Sequence, residues 1–167
     1  MTLQRPRILK NFNIIVDGEG YAGLAESITL PEFTIKTEEY RGAGMDAPID
    51  IDMGMEKLDV TFSMSDPTPR LLRMLGKADV PLTARAAYQR DGEPAVPWAL
   101  EARGLLKKYA PGDFKSGEKN TFSYEMNCTY LKLIYEGTVD VEIDLINSMR
   151  VIGGKDQLSE YREALAL

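Results

Sequence analysis

Residues 37–64 read TEEYRGAGMDAPIDIDMGMEKLDVTFSM, and this stretch decides the fold class. A strand-like run ends at Tyr40, a small glycine-rich segment spans 41–48, and a second strand-like run follows. The second run ends in strict apolar/polar alternation over 58–64, which is typical of a half-buried strand. The stretch predicts one long β-hairpin with a long exposed tip. A chain of 167 residues gains little from such an arm unless the arm contacts a neighbouring subunit.

Strand signals also dominate the rest of the chain. Further strands are predicted at 12–17, 27–30, 33–37, 83–90, 95–106, 122–130 and 139–145. Turn-forming glycine and proline clusters separate them at 18–20, 91–94, 111–113 and 136–137. We therefore expect a mainly β (α+β) fold, an antiparallel β-barrel or sandwich with a long protruding hairpin over about 37–57. No repeat or linker is visible, so residues 1–167 are expected to form a single domain.

Helical periodicity is visible in two short places. A short internal helix is predicted over 70–75, because prolines precede it and Gly76 follows it. Its apolar side would carry Leu71, Leu72 and Leu75. A C-terminal helix is predicted after a cap at Asp156. Its apolar face would carry Leu158, Tyr161 and Leu165.

The composition restricts the possible functions. Hydrophobic residues make up 44% of the chain and charged residues 28%, which is ordinary for a soluble globular protein. The net charge of −6 disfavours binding to nucleic acid or to anionic lipid. No secretory signal or run of roughly 18 apolar residues is present, so we expect no membrane anchor and assembly in a reducing cytoplasm.

Catalytic and metal-binding signatures are weak. The sequence has no histidine, which removes the commonest general base and transition-metal ligand. The single cysteine, Cys128, forms no intrachain disulfide and is expected to be a buried small hydrophobe, since no histidine activates it. The glycine pairs at 18–20 and 42–44 lack the residues of a phosphate loop and are interpreted as turns. We predict no cofactor, no metal site and no enzymatic activity.

A row of three acids is the one pattern that suggests chemistry. Asp140, Glu142 and Asp144 would share one side of a strand, because every second strand residue does. They could form an acid/base pair or a hard-metal site. A solvated strand face opposite an apolar one fits better, since loop carbonyl ligands are absent. A third interpretation is that the acids face a channel and keep a polyanion from binding.

The N-terminal segment carries three basic residues, Arg5, Arg7 and Lys10. They could contact nucleic acid, or they could dock the segment on an acidic neighbour. In a chain with an excess of acids, the docking interpretation is at least as well supported.

Motifs spread over the whole chain resemble one known family. They are NIIVDG (13–18), SITLP (27–31), KTEEYRGAGMDAP (36–48), RGLLK (103–107), PGD (111–113), GEK (117–119), CTYLKL (128–133), VEIDLIN (141–147) and GKDQL (154–158). Their order and spacing resemble the major tail tube protein of contractile-tailed phages and the tube subunit of R-type pyocin-like particles.

The resemblance implies an assembly role. Members of the family form hexameric rings that stack into a hollow tube, which sheath contraction drives through the target envelope. The arm at 37–57 would contact the adjacent ring, with Arg41, Gly42, Gly44, Met45 and Asp46 as its contact residues. Segments 1–11 and 153–167 would make further subunit contacts. Asp140, Glu142 and Asp144 would carry charge at the lumen or at an interface.

The implied partners are other parts of a tail. They are further copies of this chain, the tail sheath protein, and the baseplate tube-initiator, tape-measure and tail-terminator proteins. DNA could pass through the lumen without specific binding, as in a virion, or be absent, as in a pyocin-like particle. Two alternatives stay open at this point: the tube of a contractile secretion or injection system, and a small carboxylate-dependent β-barrel hydrolase.

Overall fold

The computed structural model describes residues 4–167, and strands make up most of this range. The strands are β1 (Ile8–Val16), β2 (Glu19–Gly20), β3 (Ala25–Thr29), β4 (Ile35–Tyr40), β5 (Ile49–Met55), β6 (Leu58–Met64), β7 (Val80–Gln89), β8 (Val96–Ala110), β9 (Phe122–Tyr135), β10 (Thr138–Asp144), β11 (Met149–Ile152) and β12 (Lys155–Asp156). The helices are α1 (Pro69–Leu72) and α2 (Ser159–Leu165). The predicted mainly β fold with an internal and a C-terminal helix is confirmed.

Strand β9 is the branch point of the main sheet. The main path runs β12-β11-β10-β9-β8-β7-β1-β2, and all its pairings are antiparallel. The first half of β9 also pairs with β6, which in turn pairs with β3, whereas its second half pairs with β10. The sheet curves around one core, because strands from both branches contribute to a single buried apolar cluster.

Two tight turns follow directly from the sequence. Asp17 and Gly18 have φ values of 49° and 78°, and Glu136 and Gly137 have values of 49° and 79°. Two successive residues with positive φ form the turn that suits the twist of a two-residue β-hairpin. The predicted turn at 136–137 is confirmed, whereas the turn predicted at 18–20 lies at 17–18, because Glu19 and Gly20 form β2.

The predicted long hairpin over 37–64 is wrong in its last part. Strands β4 and β5 pair only with each other, as a separate two-stranded sheet. Strand β6 instead joins the main sheet between β3 and β9. The reason lies in side-chain character: Leu58, Val60, Phe62 and Met64 are fully buried in the core. Burying this apolar face stabilises the protein more than extending the arm would.

The core confirms the alternation predicted for β9 from Phe122 to Cys128. Phe122, Tyr124, Met126 and Cys128 are all buried, and Tyr124 stacks on Phe62 with ring centroids 5.3 Å apart. Tyr130 breaks the predicted pattern. A β-bulge at Thr129, where Arg103 and Gly104 on β8 face Tyr130 and Cys128, shifts the phase so that Leu131 is buried instead.

Both helices are shorter than the sequence predicts, and their packing differs. Helix α1 has one turn, and its segment buries Leu71 and Met74 while Leu72 and Leu75 are exposed. Helix α2 begins after Leu158 and buries none of its residues. Asp156 lies in β12, where its carboxylate accepts the N–H of Leu158 at 3.0 Å. Neither helix within residues 4–167 has the length and apolar character needed to cross a bilayer.

Candidate assembly interface

The arm, defined as residues 35–55, stands almost entirely in solvent. Each residue of β4 and β5 except Met55 is exposed. The exposed apolar side chains are Ile35, Tyr40, Ile49, Ile51 and Met53. An isolated two-stranded ribbon is marginally stable in water, and its apolar side chains gain nothing while they stay solvated. The arm therefore has the properties of a surface that another molecule covers.

The arm tip is a compact turn that brings the predicted contact residues together. The N–H of Met45 donates to the carbonyl of Gly42 at 3.2 Å, and Nε of Arg41 donates to the carbonyl of Met45 at 3.2 Å. Gly44 has φ +84°, a backbone conformation that residues with side chains rarely adopt, and a Cβ added there would meet no atom within 4 Å. Asp46 follows the turn and is exposed. The tip thus presents a charge of each sign beside a half-buried methionine, whose sulfur accepts the N–H of Gly42 at 3.2 Å.

The base of the arm is joined to the body by an ion pair that sequence reasoning missed. Arg150 on β11 donates from Nη2 to Oδ2 of Asp52 on β5 at 2.8 Å, across 98 positions of the chain. Oδ1 of Asp52 accepts the N–H of Gly54 at 2.8 Å. The Gly54 N–H and the Arg150 guanidinium together hold the pKa of Asp52 below its usual value. No local sequence signal links two residues this far apart.

A groove of about 490 Å³ opens between the arm base, the β10–β11 turn and α2. Its apolar lining includes Met53, Met55, Met149, Leu158 and Tyr161. Methionine-rich surfaces adapt readily to a partner because the thioether chain has three rotatable bonds. The groove continues the exposed surface of the arm onto the body.

Helix α2 presents apolar side chains to solvent instead of to the core. Tyr161 and Leu165 are each 67% exposed, and Leu167 is 77% exposed. Arg162 anchors the helix, donating to Asp156 at 2.5 Å and to the carbonyl of Ser148 at 2.9 Å. An anchored helix with an uncovered apolar face is a second candidate contact surface.

The three-acid row is less regular than predicted. Asp140 is the extra residue of a bulge between Val139 and Val141, so it interrupts the row. Glu142 accepts a hydrogen bond from the hydroxyl of Tyr130 at 2.9 Å. Burial and this bond raise the pKa of Tyr130 to about 12.

Asp144 closes the β10–β11 turn. It accepts the backbone N–H groups of Ile146 and Asn147 and the Asn147 side-chain amide. Burial raises the pKa of Asp144, but these hydrogen bonds outweigh burial and lower it overall. Within residues 4–167, no cluster of three or more acids or cysteines is arranged to hold a metal ion.

A charged network covers the outer side of the β6–β9–β8 region. Nζ of Lys107 lies 2.9 Å from carboxylate oxygens of both Asp59 and Glu125. Hydrogen bonds to Glu125 and Asp59 raise the pKa of Lys107. Lys107 is the extra residue of a second bulge in the β8–β9 pairing, this one on β8. These charges pair with one another and stay partly exposed to solvent.

Two of the basic residues of the N-terminal segment have partners within the chain. Arg7 donates to the hydroxyl of Tyr135 and lies 3.7 Å from Glu136, and Lys10 lies 3.5 Å from Asp91. These contacts place both basic side chains beside acidic or polar groups of the same chain, and docking of the segment on a neighbour stays a prediction. Cys128 is fully buried, and burial raises the pKa of its thiol to about 12, which does not suit a nucleophile.

The protein is a curved antiparallel sheet whose arm and C-terminal helix expose apolar side chains. These features indicate the class of β-rich assembly subunits. The comparisons with known proteins give the family. Residues 6–165 match the model of the phage tail tube protein FII family, and the chain belongs to this family. It is a structural subunit of the tube of a phage tail or tail-like particle, and the family predicted from the sequence motifs is confirmed.

Two relatives match over nearly the full chain. The chain is 36% identical to the tail tube protein of Escherichia phage P2, over 97% of this chain and 98% of the relative. It is 30% identical to the major tail tube protein of Serratia phage KSP20, over 90% of each.

A solved structure shows the same fold. A chain of the PVC sheath–tube complex, an extracellular contractile injection system in its extended state, has a TM-score of 0.62 to this chain. The identity is 10%, and the match covers 80% of this chain and 94% of the other. At this identity the likeness concerns the fold alone.

Proposed function

We propose that residues 1–167 act as one unit that closes into hexameric rings, and that the rings stack into the hollow tube of a contractile tail. The observation that carries this is the arm, whose apolar residues are solvated in the single subunit. Contact surfaces that differ at their two ends produce open-ended stacks, whereas a closed rotation produces a ring. The role is assembly rather than catalysis.

Ring closure would use the open edges of the main sheet. Strands β3, β12 and β2 each lie at an end of the sheet in the single subunit. Unpaired strand edges present free N–H and C=O groups and favour pairing with another chain. Pairing such edges between neighbours would turn six small curved sheets into one continuous wall.

The arm tip would contact the adjacent ring through Arg41, Gly42, Gly44, Met45 and Asp46. Gly44, at φ +84°, permits the tight turn, and a Cβ on Gly42 would lie only 3.1 Å from the Tyr40 hydroxyl. Met45 can adjust to the surface that receives it. Asp140, Glu142 and Asp144 would place negative charge at the lumen or an interface. With a net charge of −6, such a tube would let DNA pass without holding it.

The partners would be the other parts of a contractile tail: the sheath, the baseplate tube-initiator, the tape-measure protein and the tail terminator. The fold likeness to a chain from a sheath–tube complex supports the first of these. We propose that sheath contraction drives the assembled tube through the target envelope as a rigid rod.

Replacement of Gly42 and Gly44 by valine tests the role of the arm. We expect a soluble, folded subunit that fails to elongate into tubes, measured by negative-stain electron microscopy and sedimentation. Gly92→Val is the matched control for the Gly44→Val change alone, since both glycines have φ +84° and an added Cβ would meet no atom within 4 Å at either position. Gly92 lies in the β7–β8 turn. Tubes of normal length from the arm variant would contradict the proposal.

A further inference from the structure

Arg150 is the single charged residue that the structure buries within residues 4–167. Its side chain is 8% exposed, and its Nε has no hydrogen-bond partner among the described residues. A guanidinium is always ionised, so burial leaves it dependent on a compensating charge. The carboxylate of Asp52 supplies that charge at 2.8 Å.

Asp52 lies where the arm bends. In the arm register, Ile35 faces Met55 while Thr37 faces Asp52, so Met53 and Gly54 form a bulge. Bulges bend the strand that carries them and increase its local twist. Gly54 has φ +97°, and its N–H donates to the same carboxylate that holds Arg150. One side chain therefore fixes both the bend of the arm and its link to the body.

Apart from Met55 at the arm base, which packs against the core, few contacts orient the arm. Its strands pair only with each other. Among the described residues, the Asp52–Arg150 contact is the one side-chain hydrogen bond between residues 35–55 and the rest of the chain. Release of Asp52 would leave a buried cation uncompensated, which is costly. This cost opposes any swing of the arm away from β11.

We propose that the Asp52–Arg150 pair is a positioning latch that sets the angle at which the arm leaves the subunit before assembly. This inference rests on the proposed stacking role of the arm and explains what sets the orientation of the arm relative to the body. A pre-oriented arm reaches its partner without first losing conformational freedom. The latch residues position the contact residues at the tip and need not touch the adjacent ring themselves.

The test measures the arm in the free subunit and then its assembly. Spin labels at Ala43→Cys on the tip and Lys155→Cys on β12 report the arm–body distance, and Cys128 is buried. We expect a narrow distance distribution for the parent and a broadened or shifted one for Asp52→Asn. Asp50→Asn, which removes the same charge two residues earlier on β5, is the distance control. The concentration needed for elongation should rise about tenfold for Asp52→Asn, equivalent to about 1.4 kcal/mol.

Arg150→Met provides an independent variant, since it removes the buried charge and keeps an apolar side chain of similar length. It should broaden the same distribution, and the Asp52→Asn/Arg150→Met pair should be no worse than either single variant. An unchanged distribution in both single variants overturns the latch. Loss of elongation in Asp52→Asn with an unchanged arm–body distance also overturns the latch. Normal elongation of the Gly44→Val variant instead refutes the stacking role of the arm and leaves the result of the distance measurement intact.

Discussion

Gly104 on β8 lies directly against the backbone carbonyl of Asn127 on β9. A Cβ at position 104 would be 1.9 Å from that oxygen and 2.8 Å from Cα of Cys128, closer than real side chains approach. The close approach occurs beside the bulge at Thr129, where the pairing of β8 with β9 shifts by one residue. The glycine is therefore required by the backbone of the neighbouring strand.

The first prediction is that Gly104→Ala destabilises the protein. The added methyl group must push the two longest strands apart, and overpacking of this kind costs about 1–3 kcal/mol or more. Urea denaturation followed by circular dichroism measures the loss. Gly20→Ala is the control, because its nearest neighbour, Nδ2 of Asn13, would be at an ordinary 3.7 Å. Equal stabilities for the two variants would contradict the close approach.

The second prediction concerns pH. The pKa of Asp52 is lowered by the Gly54 N–H and by Arg150. Folding therefore favours the ionised carboxylate of Asp52. The stability that this carboxylate contributes is complete above the pKa of the unfolded chain, about 3.9, and is lost as pH falls through the lower pKa of the folded protein.

The stability difference between the parent protein and Asp52→Asn measures this effect. We expect the difference to be constant above about pH 5 and to shrink as the solution is acidified below the unfolded pKa. Asp50→Asn is the control, because it removes the same charge from the same strand at a different position. A difference that persists unchanged to about pH 2 would show that the Asp52 charge has no role in the fold.

The third prediction is that Cys128 does not react in the folded protein. Its side chain is fully buried, and burial, followed by the nearby charge of Asp59, raises its pKa to about 12. A thiol without thiolate character and without access is inert. A chromogenic disulfide reagent should titrate one thiol in denaturant and none in buffer. Rapid labelling of the native subunit would disprove the placement of this strand.

The fourth prediction concerns the uncovered face of α2. Tyr161→Ser and Leu165→Ser should leave the unfolding curve nearly unchanged, because both side chains are solvated in the free subunit. Both should weaken tube elongation if another copy covers this face. Glu163→Ala, at an exposed position of the same helix, is the control. Wild-type elongation by both serine variants would exclude the helix from the contact.

The alternation of apolar and polar residues predicts much of this fold, because the side chains of a strand are buried at every second residue. The alternation at 122–128 and 58–64 marked core strands, and the turns at Gly18 and Gly137 were readable from residue type. The partner of β6 was not readable, because pairing with β9 joins positions about 65 residues apart along the chain.

Other features depend on contacts that leave no local trace. The bulge at Thr129 reversed the predicted side of Tyr130, and nothing in the alternation marks where an extra residue will be inserted. The apolar positions of α2 indicated a buried face, yet that face is solvated in a single subunit. The tip residues predicted from the sequence stay a prediction, whereas the Asp52–Arg150 pair is visible only in the folded chain.

The long pairing of β8 with β9 has a mechanical consequence. These strands have 15 and 14 residues, and β9 also carries both branches of the sheet. Tension applied along them would load their cross-strand hydrogen bonds in shear, many at once, whereas tension across them would peel the bonds one after another. This strand pair therefore resists tension along its length more than tension across it.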